Sequence, residues 1–234
     1  ALVERDVLGG TCLNRGCIPT KAWLSTIGLL KILRRARTMG VRVGATEVDL
    51  PAAGERVRNV VNQLRGGLER TLEAAGVTVV RGSGRLTKVP GGAVGVALGD
   101  DGAEILQARA VILATGSVPA WPPVSALREA ASQTGRVSAA DDSLDISQIP
   151  ARLAIIGGGV VGVELASMYA ALGARVTVVE LTDRLVPSAD VEISDLIRNV
   201  LANQGVEVLT GARVQRVALR GSDCVLEVEL SGEP

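Results

Sequence analysis

The stretch that most constrains this chain is "ARLAIIGGGVVGVELASMYAALGARVTVVE", residues 151–180, in which two apolar runs flank a glycine cluster and an apolar segment of helix length. An apolar run that passes directly into glycine reads as a buried strand with its exit turn, and "ARVTVVE" reads as the next strand. The order strand, glycine turn, helix, strand specifies a parallel unit, because the helix carries the chain back to begin a second strand in the same direction. Gly157, Gly159 and Gly162 satisfy G-x-G-x-x-G between the first strand and the helix. There the first glycine permits the tight turn, the second lets a pyrophosphate reach the backbone, and the third lets the helix pack on the strand. The expected dinucleotide turn is therefore Gly157, Gly158, Gly159, Val160, Val161, Gly162 and Val163, with helix N–H groups directed at the phosphates. Glu180 closes the second strand eighteen residues beyond Gly162. An acid at that place accepts hydrogen bonds from ribose hydroxyls and repels a 2′-phosphate. Leu181, Thr182 and Asp183 supply no basic cluster, although Arg184 is near, so the expected cofactor is NAD rather than NADP.

The remaining pattern divides at "VPAWPPV", residues 118–124, where prolines interrupt regular structure. Before it, Leu24, Ile27 and Leu30 continue at helical spacing from a start at Pro19, and Val57, Val60, Val61, Leu64, Leu68 and Leu72 mark an amphipathic helix over residues 54–75. Strands are expected at "VTVVR" (77–81), "GAVGVAL" (92–98) and "ARAVILATGS" (108–117), the last as a continuous apolar strand covered on both faces. After it, a helix at about 191–203, the strand "VEVLT" and antiparallel strands over 214–230, with turns at Gly221 and Gly232, complete the order.

Charge narrows the function. The 25 basic residues balance the 25 acidic ones, and no basic run interleaved with aromatics appears, so neither nucleic acid nor a membrane is an expected partner. No apolar run approaches the roughly 18 residues of a membrane span, and three cysteines do not suit a secreted disulfide scaffold, so a cytoplasmic protein is expected. Histidine is absent, so imidazole in this chain does no acid/base work.

The second informative cluster is "GGTCLNRGCIPTK", with Cys12 and Cys17 five apart. Zinc sites favour C-x2-C with a second pair or histidines, and only distant Cys224 is available, which itself reads as a core or edge residue. A pair of buried structural thiols is the competing reading. In a regular helix residues five apart have Cα atoms about 8.6 Å apart, beyond the roughly 7 Å a disulfide tolerates, so a bond between them needs an irregular backbone. Pro19 starting a helix just after Cys17 places that sulfur at the positive end of the helix dipole, which favours a thiolate.

These residues resemble the redox signature of the dihydrolipoyl dehydrogenases, within the pyridine nucleotide-disulfide oxidoreductases that also include glutathione and mercuric reductases. "ILATGSVP" is similar to the family's flavin-contacting segment and "GGGVVGVE" to its NAD turn, so the likeness spans essentially the whole chain. The resemblance implies an α/β fold of two Rossmann-like, doubly wound, three-layer domains, FAD-binding over 1–118 and NAD-binding over 119–234. Both are incomplete here, since the family's FAD phosphate loop would precede Ala1 and its dimerisation domain, with a His-Glu acid/base pair, would follow Pro234. It implies a redox-active Cys12–Cys17 disulfide, with Cys12 exchanging with the dithiol and Cys17 facing the flavin. Lys21 and Glu164 are implied as a catalytic pair beside the flavin. Glu4 is implied at the adenosine ribose of FAD, with Gly10, Thr11, Gly82, Thr115, Gly116 and Ser117 as further flavin contacts. Trp23 departs from the small aliphatic residue the family places after the lysine motif. The implied activity is oxidation of dihydrolipoamide, carried by a lipoyl protein of a 2-oxoacid dehydrogenase complex, by a flavoprotein homodimer that serves cell redox homeostasis. A disulfide reductase of the glutathione or mercuric type, or a non-catalytic nucleotide-binding module, are the alternatives.

Overall fold

The computed structural model describes residues 1–89, 93–99, 102–221 and 223–230. It has two compact units, residues 1–19 with 58–118, and residues 20–57 with 119–234. In the first, β1 (Leu2–Glu4) pairs in parallel with β2 (Val79–Arg81), Leu2 opposite Val79 and Glu4 opposite Arg81. Helix α1 (Gly10–Arg15) follows β1, and α2 (Cys17–Arg35) begins two residues after α1 ends. Strands β3 (Gly84–Lys88), β4 (Val94–Leu98) and β5 (Glu104–Ala108) form an antiparallel meander.

Three expectations about this part of the chain change. The helix starts at Cys17 rather than at Pro19, because a proline in the first turn costs no hydrogen bond where the N–H groups have no intrahelical partner. The apolar run at 108–117 forms no strand beyond Ala108. Residues 110–117 are irregular, with Ile112 91% and Leu113 66% exposed. A strand exists only where a neighbouring row of N–H and C=O groups pairs with it, and the parallel sheet of this unit consists of β1 and β2 alone among the described residues. Helix α3 (Leu50–Ala74) begins four residues before the expected start at residue 54. Asp49 caps it, accepting from the Ala52 N–H at 3.0 Å, with Pro51 in the first turn. Its Ala53, Val57 and Val61, four apart, are buried.

The second unit is built on the parallel order β6 (Arg152–Ile156), β7 (Arg175–Val179), β8 (Glu207–Leu209), with α5 (Val160–Leu172) between β6 and β7 and α6 (Val191–Ala202) between β7 and β8. Each of these elements falls where the sequence pattern puts it. Antiparallel β9 (Ala212–Arg220) and β10 (Asp223–Leu230) turn at Gly221, while Gly232 lies outside the described residues. Helix α4 (Leu127–Thr134) packs on β9 through Leu127, Ala130 and Val217. The largest fully buried side chains, Trp23, Ile27, Met168, Leu185, Leu201, Val176 and Val178, all belong to this unit. Helix α5 carries no single apolar stripe because the sheet covers one side and α2 the other. Three α2 cations reach α5: Lys21 to Glu164 at 2.6 Å, Lys31 to Ser167 Oγ at 3.1 Å, and Arg34 to the Ala171 carbonyl at 2.7 Å, one of the carbonyls left over at the helix end. Trp23, 1% exposed, donates its indole N–H to the Leu144 carbonyl at 2.9 Å. No described helix is long and apolar enough to cross a membrane.

Candidate functional site

The glycine turn is assembled by backbone geometry. Gly157 adopts φ +110°, a conformation that L side chains rarely enter, and donates its N–H to the Val179 carbonyl at 2.9 Å, which joins the ends of β6 and β7. Gly159 is extended at the mouth of α5, and no side chain caps that helix. The first helical bond runs from the Val163 N–H to the Gly159 carbonyl at 3.0 Å. The N–H groups of Val160, Val161 and Gly162 precede it, so the helix opens with donors available to an anion. Gly162 is dictated by space, since a Cβ there would lie 2.0 Å from the Gly157 carbonyl oxygen. The turn therefore closes on itself only with glycine at both ends of its six residues, Gly157 and Gly162.

Glu180 follows β7 at 8% exposure, and its carboxylate is held on both oxygens. Oε2 accepts from the Gly158 N–H at 2.6 Å. Oε1 accepts from the Thr182 N–H at 2.7 Å and the Thr182 hydroxyl at 2.8 Å. Burial, the largest single influence, pushes this carboxyl upward, but the combined donors from Thr182, Gly158 and Leu181 outweigh it and hold the group below the usual carboxylate range. An ionised acid thus stands at the end of β7, tied directly to the glycine turn. Arg184 does not neutralise it by a hydrogen bond among the described residues; its guanidinium turns to the Pro187 carbonyl at 3.3 Å and its Nε is buried without an acceptor. A dinucleotide's phosphates and ribose fit this donor and acceptor set.

In the same unit Lys21 Nζ and Glu164 Oε1 stand 2.6 Å apart, although 143 residues separate them in sequence. In the first unit Cys12 lies on α1 and Cys17 opens α2, both exposed, with the helix interrupted at Gly16. The helix is thus broken between the two cysteines rather than continuous through them. Asn14, between the cysteines, ties the loop together. Its amide donates to the Leu8 and Gly10 carbonyls, each at 2.9 Å, and its oxygen accepts from Arg65 Nε and Nη2 at 3.0 and 2.7 Å. Neither Asn14 nor Arg65 stood out in the sequence, because the link depends on α3 lying beside α1.

Glu4 and Gly82 come together at the carboxyl ends of β1 and β2, where the Gly82 N–H donates to the Glu4 carbonyl at 2.9 Å. The Glu4 carboxylate accepts from the Asp6 N–H at 2.8 Å. Gly10 and Thr11 open α1. Thr115, Gly116 and Ser117 lie in the exposed irregular run after β5, and the structure joins them to no other candidate residue.

Residues 1–233 match the model of the family described as pyridine nucleotide-disulphide oxidoreductase. A dihydrolipoyl dehydrogenase of Chlamydia pneumoniae is 38% identical over 93% of this chain and 45% of its own length. One from Bacillus subtilis is 36% identical over 92% of this chain and 46% of its own. Among solved structures, the HOCl-induced flavoprotein disulfide reductase RclA of Escherichia coli superposes with a TM-score of 0.76 at 27% identity, covering 97% of this chain and 47% of that one. LpdA of Mycobacterium tuberculosis shares the fold with a TM-score of 0.78 at 24% identity. The chain spans about half the length of the curated relatives it matches.

Proposed function

We propose, for a chain that belongs to the pyridine nucleotide-disulphide oxidoreductase family, oxidation of a dihydrolipoyl dithiol at a Cys12–Cys17 disulfide, with the electrons leaving through FAD to NAD+. The observation that carries this reading is the helix break at Gly16, which leaves Cys12 and Cys17 exposed on successive helical segments. A substrate thiolate attacks Cys12 Sγ. The Cys12–Cys17 bond breaks, a substrate–Cys12 disulfide forms, and Cys17 takes the electron pair as a thiolate. The second substrate thiol, losing its proton, attacks its partner sulfur, closes the lipoyl ring and releases Cys12. Two electrons have then moved from dithiol to cysteine pair, and two protons to solvent or a base.

FAD, when bound, supplies the two-electron relay between that pair and the nicotinamide. Residues 1–118 are assigned to its domain and 119–234 to the NAD domain. Glu4, Gly10, Thr11, Gly82 and Thr115–Ser117 would hold the flavin. Lys21, fixed by Glu164, would place a cation beside it. Gly157–Val163 would cradle the NAD pyrophosphate and Glu180 its ribose. The relatives' names support the dithiol substrate. A lipoyl-carrying protein of a 2-oxoacid dehydrogenase complex is the proposed partner, a homodimer the proposed assembly, and the cytoplasm, where thiols stay reduced, the proposed compartment.

In the full-length protein, Cys12→Ser abolishes dihydrolipoamide-dependent NAD+ reduction while calorimetric NADH binding persists. Retained dithiol oxidation in that variant would refute the assignment. Faster turnover of the unmodified protein with oxidised glutathione and NADPH would move it to the glutathione-reductase type.

A further inference from the structure

The segment between β7 and α6 is fastened to the glycine turn at one residue. Gly158 gives its N–H to Glu180 Oε2 at 2.6 Å and its carbonyl to the Val186 N–H at 2.8 Å, so both of its backbone groups are committed to this segment. Val186 is held at φ +44°, a conformation a β-branched residue keeps only when its surroundings impose it. Leu185 fills the remaining space, since a Cβ on Gly158 would lie 2.5 Å from its Cδ2 and 3.0 Å from Glu180 Cβ. Glu180 is thereby fixed through its backbone and through Oε2, and the fixing of Oε1 falls to Thr182. The Thr182 hydroxyl has one proton and two acceptors in range, Glu180 Oε1 at 2.8 Å and the Arg184 carbonyl at 2.9 Å. The charged oxygen is the stronger acceptor.

We propose that Thr182 is a positioning residue for dinucleotide choice: its hydroxyl, acting through Glu180, keeps the carboxylate aligned, so that it takes a ribose hydroxyl and repels a 2′-phosphate. This rests on the reading of the β6–α5–β7 unit as an NAD site. At 8% exposure the Glu180 carboxylate has little water to hold it, so its orientation is set by the protein donors on its two oxygens. Without the hydroxyl, Oε1 loses one of its two donors from Thr182, and the carboxylate is freer to turn away from the ribose and from the place a 2′-phosphate would take.

The test measures NADH and NADPH dissociation constants by calorimetry on the full-length protein. Thr182→Val keeps the shape and the backbone N–H but removes the hydroxyl, and preference for NADH over NADPH falls about tenfold, the usual scale of a hydrogen bond to a charged group. Thr182→Ser restores the preference, an outcome that loss of packing alone would not produce. Thr182→Ala is the second hydroxyl-free variant should the valine form not fold. An unchanged preference in a folded hydroxyl-free variant overturns this proposal alone. Binding of neither dinucleotide by the unmodified protein overturns both it and the NAD reading.

Discussion

Replacing Gly162 by alanine tests whether the cradle is set by space or by ligand. The added Cβ would meet the Gly157 carbonyl oxygen at 2.0 Å, where real Cβ atoms essentially never come closer than 3.0 Å. Helix α5 and the turn must therefore separate by about 1 Å, and the opposing atom is backbone that cannot swing aside. Overpacking of this kind costs about 1–3 kcal/mol, offset by the roughly 1 kcal/mol that alanine gains over glycine within a helix. The net loss of up to about 2 kcal/mol lowers the melting temperature by up to about 8 °C in a domain of 150 or more residues. The same displacement moves the N–H groups of Val160 and Val161 off the phosphates, so calorimetric NADH affinity falls about tenfold or more, each tenfold being about 1.4 kcal/mol. Gly159→Ala is the control: a Cβ there meets nothing within 4 Å and φ is −71°. That variant melts as the unmodified protein does and loses NADH only because the ligand needs the bare backbone. A Gly162→Ala protein with unchanged melting and unchanged affinity, or a Gly159→Ala protein destabilised more than it, would refute the steric account.

Three other outcomes follow from the geometry. Trp23→Ala leaves a large cavity and an unanswered Leu144 carbonyl and costs about 3–5 kcal/mol, whereas Trp23→Phe costs about 1–2 kcal/mol, mostly the lost hydrogen bond; urea titrations separate the two. Lys21→Met removes an ion pair whose lysine is more than half exposed, so the melting temperature moves little, the loss being under about 1 kcal/mol, while dihydrolipoamide turnover in the full-length protein collapses. Glu180 has a carboxyl lowered in the folded state. Its stabilisation is present above the ordinary carboxylate pKa and is lost as pH falls through the folded value. The stability advantage of the unmodified protein over Glu180→Gln therefore holds level from pH 7 down to the ordinary carboxylate pKa of 4.5 and shrinks as pH falls below it, and a gap that widens on acidification would contradict the assignment.

What could be read from the sequence was what neighbours in the chain decide. Residues 151–180 announced themselves because one continuous segment contains both strands, the turn and the acid. Helix α4 gave no such signal: it is eight residues long and starts after Ala126 at φ 59° without a capping side chain. The run at 108–117 misled for the opposite reason, since its apolar character promises a strand that only a partner can make. Lys21 and Glu164 came from family likeness alone, as no local pattern links residues 143 apart. Thr182 carries no signal in the sequence beyond not being basic, because its link to Glu180 depends on where that side chain turns back toward Gly158.

The irregular run after β5 bears on how this chain behaves in company. "VILAT", residues 111–115, is uncharged, free of proline and rich in strand-forming side chains, and its Ile112 and Leu113 stand open to solvent. Segments of that composition find their missing neighbour in another copy of themselves. Two chains meeting there would each supply the row of peptide groups the other lacks, so loss of monomer should rise with the square of concentration.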